Sequence, residues 1–433
     1  MFLLKKVGEI KDPVHGYIHF TEIEKSIIDS APFQRLRRIK QLAVAELTYP
    51  GAVHSRFLHS IGVMHVSGLI GNHLLEKGYI SRDEVQELRL AGLLHDIGHG
   101  PFSHVYEDIL DKYSNLTHED LSQRIIRETE IGDILEKHGY SKRKISELAV
   151  GKLEKNKKFL NQVIAGHFSS DIMDYLLRDS YFAGVEYGKI DLFRLIESLD
   201  LVGNNIAADY SGAFGVLESY IIARIEMFNV VYFHRAVRAA NIMISRCMDF
   251  AHEKLGLYPL KSLEDFLQLD DYKVLVGLES LKNEKEEKLS KSYKIFSNLK
   301  KRRLFKSTYE VVIHQRNNFL TNLINKQSIR KKIESEIGDE AGIDSDYIVI
   351  DVPQVPSVPV NPIERKRSEI LVYRKTPEGI VTQKIKDISP LLATLSEFID
   401  IVRVYTLPEH RDKVIRVCER LFGRKSISEK ISM

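Results

Sequence analysis

The chain has 433 residues, 43% of them hydrophobic and 28% charged, with 63 Lys and Arg against 60 Asp and Glu. That is enough apolar material for a sizeable core, in a chain too long for one small domain. A net charge of +3 excludes a dedicated polycation for nucleic acid, and two cysteines, Cys247 and Cys418, exclude a disulfide framework. No apolar run at the start is long enough for a signal peptide, and no uncharged stretch approaches the ~20 residues needed to cross a bilayer. The expectation is a cytoplasmic protein with no membrane partner.

Residues 1–22 alternate in a strand-like way, with Val14, Tyr17-Ile18 and Phe20 following Asp12-Pro13 and Gly16, which predicts a short hairpin. From about Glu22 to Ala251 the apolar period is helical. Phe57, Leu58, Ile61, Met64 and Leu69 give one helix; Val85, Leu88, Ala91, Leu93 and Leu94 give the next, ended by Gly98 and Gly100-Pro101. One further helix is expected through Val163-Ile164, Ile172, Tyr175 and Leu176, and a long one from about Val216 to Phe250. The charge-dense run from Glu279 to Arg303 predicts an exposed helix. Beyond it the composition changes. Tyr347–Val352, Ile370–Tyr373 and Ile401–Tyr405 read as strands, with a proline-rich loop (Pro353, Pro356, Pro359, Pro362) between the first two and a helix from Val414 to Leu421. The expected class is mainly α: a helical core over residues 1–251, a charged helical connector over 252–306 and a smaller α+β region over 307–433.

Ten of the sixteen histidines lie between His15 and His118. The informative ones fall in pieces: His54–His59 at a helix start, and His95-Asp96-Ile97-Gly98-His99-Gly100-Pro101-Phe102-Ser103-His104 at a helix end. Asp171 stands on a helix some 75 residues later. Two neutral imidazoles and two carboxylates suit a transition metal such as Fe, Mn, Zn, Ni or Co and leave positions open for water and substrate. The apolar run Leu90–Leu94 carries Asp96 into a buried layer, where an unpaired carboxylate is costly. A cation answers that cost; a buried salt bridge or hydrogen-bonded histidine is the alternative. Asp171, Tyr175 and Asp179, spaced i, i+4 and i+8, share one helical face. They line a groove, or else belong to a salt-bridging face with Asp174 and Arg178 paired at i, i+4.

The chain resembles the HD-domain phosphohydrolases, and within them the deoxynucleoside triphosphate triphosphohydrolases. The residues that carry the resemblance are Asp12-Pro13-Val14-His15-Gly16, Phe33–Leu42, Tyr49-Pro50-Gly51-Ala52, Arg56–His59, His95–His104, Thr117-His118-Glu119 and Asp174–Asp179. They run in the family's order through about residues 8–250; no SAM-like segment, as in the animal members, is expected ahead of them. The resemblance implies that His59, His95, Asp96 and Asp171 hold one metal and that His118 is the catalytic acid or base, with Glu107 or Glu119 orienting its ring. It implies that Arg56, His99 and His104 meet the substrate phosphates, with Mg accompanying them. Gln41, Leu42, Tyr175 and Asp179 are then expected around the sugar. Asp29, Gln34 and Arg37 match a regulatory site for an activating nucleotide; the alternative is a structural salt bridge between Asp29 and Arg37. A homo-oligomer, dimer or tetramer, is expected by analogy.

Several positions depart from the family pattern. A phosphate-binding lysine falls at Ile172, a tyrosine against the nucleoside falls at or near Arg238, an arginine falls near Val230, and the carboxylate beside the catalytic histidine is Glu107 rather than Asp. Arg238 or Arg235 is the expected substitute cation. Without one, the substrate shifts to a monophosphate, a diphosphate or another phosphoester. At the regulatory site a lysine is replaced near Gly8, and arginines around Leu201–Asp209 are missing. Two readings of other classes remain. One is nucleic-acid binding through Lys300–Arg303 and Arg365-Lys366-Arg367, which lack the interleaved aromatics that stack bases. The other is a non-catalytic nucleotide sensor.

Overall fold

The structure, a computed structural model, describes residues 4–114, 116–154, 157–314, 326–352, 370–395 and 399–423. The chain opens with an antiparallel hairpin, Gly8–Asp12 against Gly16–Phe20. Asp12 builds the turn: its Oδ1 accepts from the backbone N–H of Val14 (2.9 Å) and His15 (2.8 Å), and Gly16 takes a left-handed φ of 77°.

At the centre lies the helix Arg56–Glu76, entered from Ser55 and buried on every side of its first three turns, as an apolar circumference requires. Helices Arg82–Leu94 and Ser170–Ala183 pack against it. Gly62 permits the second contact, since a Cβ there would lie 1.9 Å from Asp174 Oδ1. Ser81 with Glu84 forms a capping box at the start of Arg82–Leu94, and that helix stops at His95. Two shorter helices, His104–Tyr113 and His118–Glu128, follow; Thr117 caps the second.

The helical reading holds with three differences. The helix expected through 163–176 is two, Phe159–Ala165 and Ser170–Ala183, because Gly166 ends one and Ser169 caps the other through Ile172 N. The long helix expected from Val216 to Phe250 is also two. Tyr210–Met227 runs into a π-helical turn, Phe228–Tyr232, and Arg235–Phe250 starts afresh behind His234. Within the stretch read as wholly helical, Leu199–Val202 and Asn205–Asp209 form an antiparallel hairpin. Asn205–Asp209 pairs in parallel with Leu371–Thr376, which pairs with Gly379–Lys384. That hairpin draws on a partner some 165 residues away, which no local period reveals.

A second sheet, ordered Lys306–His314, Ile399–Thr406, Val349–Asp351, is antiparallel throughout. Helices Gln327–Ala341 and Arg411–Phe422 cover it around a separate core that includes Tyr309, Ile337, Ile350, Val404 and Val414. The charged run becomes the helix Glu287–Lys300, which is less exposed than expected: it buries Leu289, Ile295, Phe296 and Leu299. The proline-rich loop and Arg365-Lys366-Arg367 lie outside the described residues. Among the described residues, no helix is long and apolar enough to cross a membrane.

Candidate active site

The three pieces converge. His59 comes from the first turn of Arg56–Glu76, His95 and Asp96 from the end of Arg82–Leu94, and Asp171 from the first turn of Ser170–Ala183. His59 Nε2 lies 3.0 Å from Asp171 Oδ1 and 3.6 Å from Asp96 Oδ2; His95 Nε2 lies 3.2 Å from Asp96 Oδ1 and 3.6 Å from Asp171 Oδ1. One ligand atom each from His59, His95 and Asp96 fits within a sphere of mutual distances under 4.8 Å, a geometry that could hold a metal ion.

Both rings are oriented for such an ion. His95 Nδ1 donates to the carbonyl of Gly92 at 2.8 Å, and its Nε2 is buried without a hydrogen-bond partner. His59 Nδ1 sits 2.8 Å from Asp174 Oδ2, so it too keeps its proton on the far nitrogen. Burial alone would push His59 down. Its bonds to Asp171 and Asp174, with the Asp96 charge, instead raise its pKa to about 10. Burial likewise opposes the ionised Asp96 and Asp171, but Arg56, His95 and His99 hold the first well below the usual carboxylate range, and His59 and His95 hold down the second. The cluster demands a positive charge at its centre, which a divalent cation supplies without a proton on His59.

Behind His59 stands a buried network of which the sequence suggested only the Asp174–Arg178 pair. Asp174 receives His59, His15 Nε2 at 2.6 Å, and Arg178 through Nε and Nη2 at 2.9 Å each. Arg178 Nη1 reaches Asp12 Oδ2 at 2.8 Å. The Asp12–Gly16 motif thus props His59, a candidate metal ligand, from the hairpin. The i, i+4 pair of Asp174 and Arg178 exists alongside the groove-lining face and does not replace it.

On the other side of Asp96, Arg56 gives Nη1 to Asp96 Oδ2 and Nε to Ser103 Oγ at 2.7 Å, while its buried Nη2 has no hydrogen-bond partner among the described residues. Glu107 Oε1 lies 2.6 Å from His118 Nδ1, 3.2 Å from His104 Nδ1 and 3.5 Å from His99 Nδ1. Burial works against a charged His118, yet the Glu107 hydrogen bond and charge raise its pKa. His99 stacks on His118 with centroids 4.1 Å apart, and its Nε2 lies 3.3 Å from Asp96 Oδ1. Burial and the charges of Arg56 and His118 push the His99 pKa well down. Glu119 pairs with Lys152 at 2.8 Å, which leaves Glu107 as the residue that orients His118. Gly98 sets the distance between the two halves: a Cβ there would lie 2.1 Å from His118 O and 2.3 Å from Ser122 N.

These groups open on a cavity of about 520 Å³ that Arg56, His95, Asp96, His99, His104, His118 and Asp171 line at one end. Gln41, Leu42, Tyr175 and Asp179 line it as well, with Phe228, Val231, Tyr232 and Phe233 from the π-helical turn. Asp179 is already engaged, Oδ1 by His54 Nε2 and Oδ2 by Tyr232 Oη, each at 2.7 Å. Ile172 presents an apolar wall, and Arg238 lines the cavity but is matched bidentately by Asp351 at 2.5 and 3.0 Å. Arg235 is matched by Glu310 in the same way, at 2.9 Å twice. Both arginines named as substitute cations are therefore already paired. Buried Arg224, which sequence reasoning passed over, lines the same cavity. Its signal was a lone cation in the apolar run Tyr220–Ile225.

Asp29, Gln34 and Arg37 do not line the cavity. Asp29 pairs with Lys25 at 2.6 Å, while Arg37 donates to Gln34 Oε1 at 2.8 Å and lies over the Phe57 ring at 3.5 Å. Among the described residues the alternative salt bridge between Asp29 and Arg37 is not formed.

A helical pocket with this His-Asp cluster at its base defines the class, and comparison with known proteins agrees. Residues 56–178 match the HD domain and residues 190–432 the HD associated region. The chain belongs to the HD-domain phosphohydrolase family. It is 33% identical over 360 residues to the uncharacterized protein YwfO of Bacillus subtilis, a match covering 79% of this chain and 78% of that protein. It is 31% identical over 324 residues to the deoxynucleoside triphosphate triphosphohydrolase SAMHD1 homolog of Dictyostelium discoideum, covering 70% of this chain and 60% of that one. A crystal structure of a hypothetical protein from Aquifex aeolicus superposes with a TM-score of 0.73 at 31% identity, over 94% of this chain and 98% of that chain.

Proposed function

We propose that the protein hydrolyses deoxynucleoside triphosphates to a deoxynucleoside and inorganic triphosphate. The observation that carries this reading is a pair of buried, unpartnered polar atoms flanking Asp96: Nε2 of His95, suited to a cation, and Nη2 of Arg56, suited to a phosphate oxygen. His59, His95, Asp96 and Asp171 would hold a divalent ion (Fe, Mn, Zn, Ni or Co), which when bound lowers the pKa of a water and polarises a phosphoryl oxygen.

The protein's own groups then do the rest. Arg56 offers a fixed guanidinium to the charge that spreads over the phosphoryl oxygens, and His104 adds donors at the mouth, with Mg arriving on the triphosphate. Water attacks the α-phosphorus and the bond to the 5′ oxygen breaks. His118, whose Nδ1 proton is held by Glu107, gives its Nε2 proton to that leaving oxygen. The uncharged wall of Leu42, Tyr175, Phe228 and Val231 suits a nucleoside, and Tyr175 with Asp179 would face the sugar. The name of the Dictyostelium relative supports the same substrate. Asp29, Gln34 and Arg37 would form a surface site for an activating nucleotide, in a homodimer or homotetramer.

The test is product analysis with Mn²⁺, Mg²⁺ and Co²⁺ against deoxynucleotides, ribonucleotides, monophosphates and dinucleotides, with and without GTP. Inorganic triphosphate is the expected product. Orthophosphate or pyrophosphate would shift the reading to a smaller phosphoester, which the apolar Ile172 and the paired Arg238 also suit. Silence with every metal would leave a nucleotide sensor or a nucleic-acid-binding protein.

A further inference from the structure

The loop that follows His99 takes an unusual path. Phe102 and Ser103 both have left-handed φ values, 57° and 58°, a strained conformation for residues other than glycine. The restraint comes from outside the stretch that matches the HD domain. Asp271, the first residue of helix Asp271–Ser280 and 2% exposed, accepts from Phe102 N through Oδ1 at 2.6 Å and from Lys40 N through Oδ2 at 2.9 Å. Ser103 Oγ then donates to Lys40 O at 2.6 Å and accepts Arg56 Nε at 2.7 Å. Neighbouring Asp270 holds Arg38 at 2.5 Å, and Arg35 ties the carbonyls of Leu269 and His99, each at 2.8 Å, to one guanidinium.

We infer that Asp271 is a positioning residue, by which the HD associated region fixes the guanidinium of Arg56 for a substrate phosphate. One carboxylate spans two loops, 40–42 and 100–103, which the Ser103 hydroxyl also joins. It holds the second in a strained form that puts the Ser103 hydroxyl between Lys40 and Arg56. With Nε on Ser103 and one Nη1 proton on Asp96, Nη2 is left without a hydrogen-bond partner among the described residues, so a donor is aimed before any ligand arrives. An Asn at 271 keeps the shape but has one acceptor oxygen for two N–H donors, and turns its own N–H₂ toward the other.

The inference rests on Arg56 as a phosphate ligand, not on the substrate's identity. The test uses the full chain loaded with Co²⁺ and titrated calorimetrically with inorganic tripolyphosphate. Asp271→Asn and Ser103→Ala are each expected to weaken binding about tenfold, and the double variant no more than either alone, because both act through one guanidinium. In an Arg56→Ala background neither should matter. Cobalt stoichiometry and the visible spectrum should stay as in the parent, which a general loss of structure would not allow. Unchanged affinity in Ser103→Ala overturns the inference even if Asp271→Asn does not fold. So does an additive double variant, or a parent whose tripolyphosphate affinity is indifferent to Arg56→Ala. A parent that binds tripolyphosphate through Arg56 yet hydrolyses no deoxynucleotide would end the functional proposal and leave this one standing.

Discussion

The two ends of the cavity are built on opposite principles. At the metal end, polar atoms are buried and left waiting: His95 Nε2, Arg56 Nη2, His99 Nδ1 and, on the adjoining loop, Gln41 Oε1. At the far end two charged groups are already matched, Asp179 by His54 and Tyr232 and Arg238 by Asp351, although among the described residues Asn241 Oδ1 and His54 Nδ1 are also buried without a hydrogen-bond partner. Burying an unsatisfied polar group costs about 1–3 kcal/mol, so the four such atoms at the first end carry a cost that a bound ligand would offset, whereas the matched pairs at the second carry none. On the proposed function, binding energy and chemistry would belong to the metal end, with the far end contributing mainly shape.

That contrast can be broken experimentally. Replacing His95 or Asp171 by Ala should lose the metal and reduce phosphohydrolase activity roughly a thousandfold, the several kcal/mol that metal-ion catalysis supplies; metal analysis alongside kinetics checks it. Arg56→Ala should cost roughly a hundredfold in kcat/KM while metal content persists, as expected for one transition-state donor. Glu107→Gln sharpens the reading of His118 as an acid. Glu107 raises the His118 pKa, so its removal lowers that pKa, and the alkaline limb of the pH–rate profile should move toward lower pH. An unmoved limb would reassign the proton donor. The smallest effect on turnover is expected at the far end. Asp351→Ala should lower unfolding stability by about 2 kcal/mol, the scale of a lost charge-assisted pair, while changing kcat less than about threefold, read from denaturant melts and rates. A large kinetic loss there would erase the distinction between the two ends.

The pieces that meet at the metal end stood out in the sequence because they follow local rules, and the family resemblance singled out four residues among them. His59 follows a helix start, His95-Asp96 a helix end, and Asp171 the repeat that also places Tyr175 and Asp179 on the cavity wall. What it did not disclose depends on partners far along the chain. Asp351 lies 113 residues from Arg238 and Glu310 75 from Arg235, so both arginines looked free. Asp271 sits 169 residues from Phe102, with no motif to announce it. The break at Phe228–Tyr232 was hidden for another reason: a π-helical turn keeps the apolar residues of a helix while changing its winding.

Gly98 carries a consequence for how this catalyst can vary. It lies two residues beyond Asp96, with no room for another atom between its α-carbon and the backbone at His118 and Ser122. The gap between the candidate ligand Asp96 and His118, the proposed acid, is thus gauged by one missing methyl group. Alanine would alter no charge and remove no donor, yet it would force the two elements apart. On the proposed mechanism, such a chemically silent change would uncouple bond cleavage from protonation.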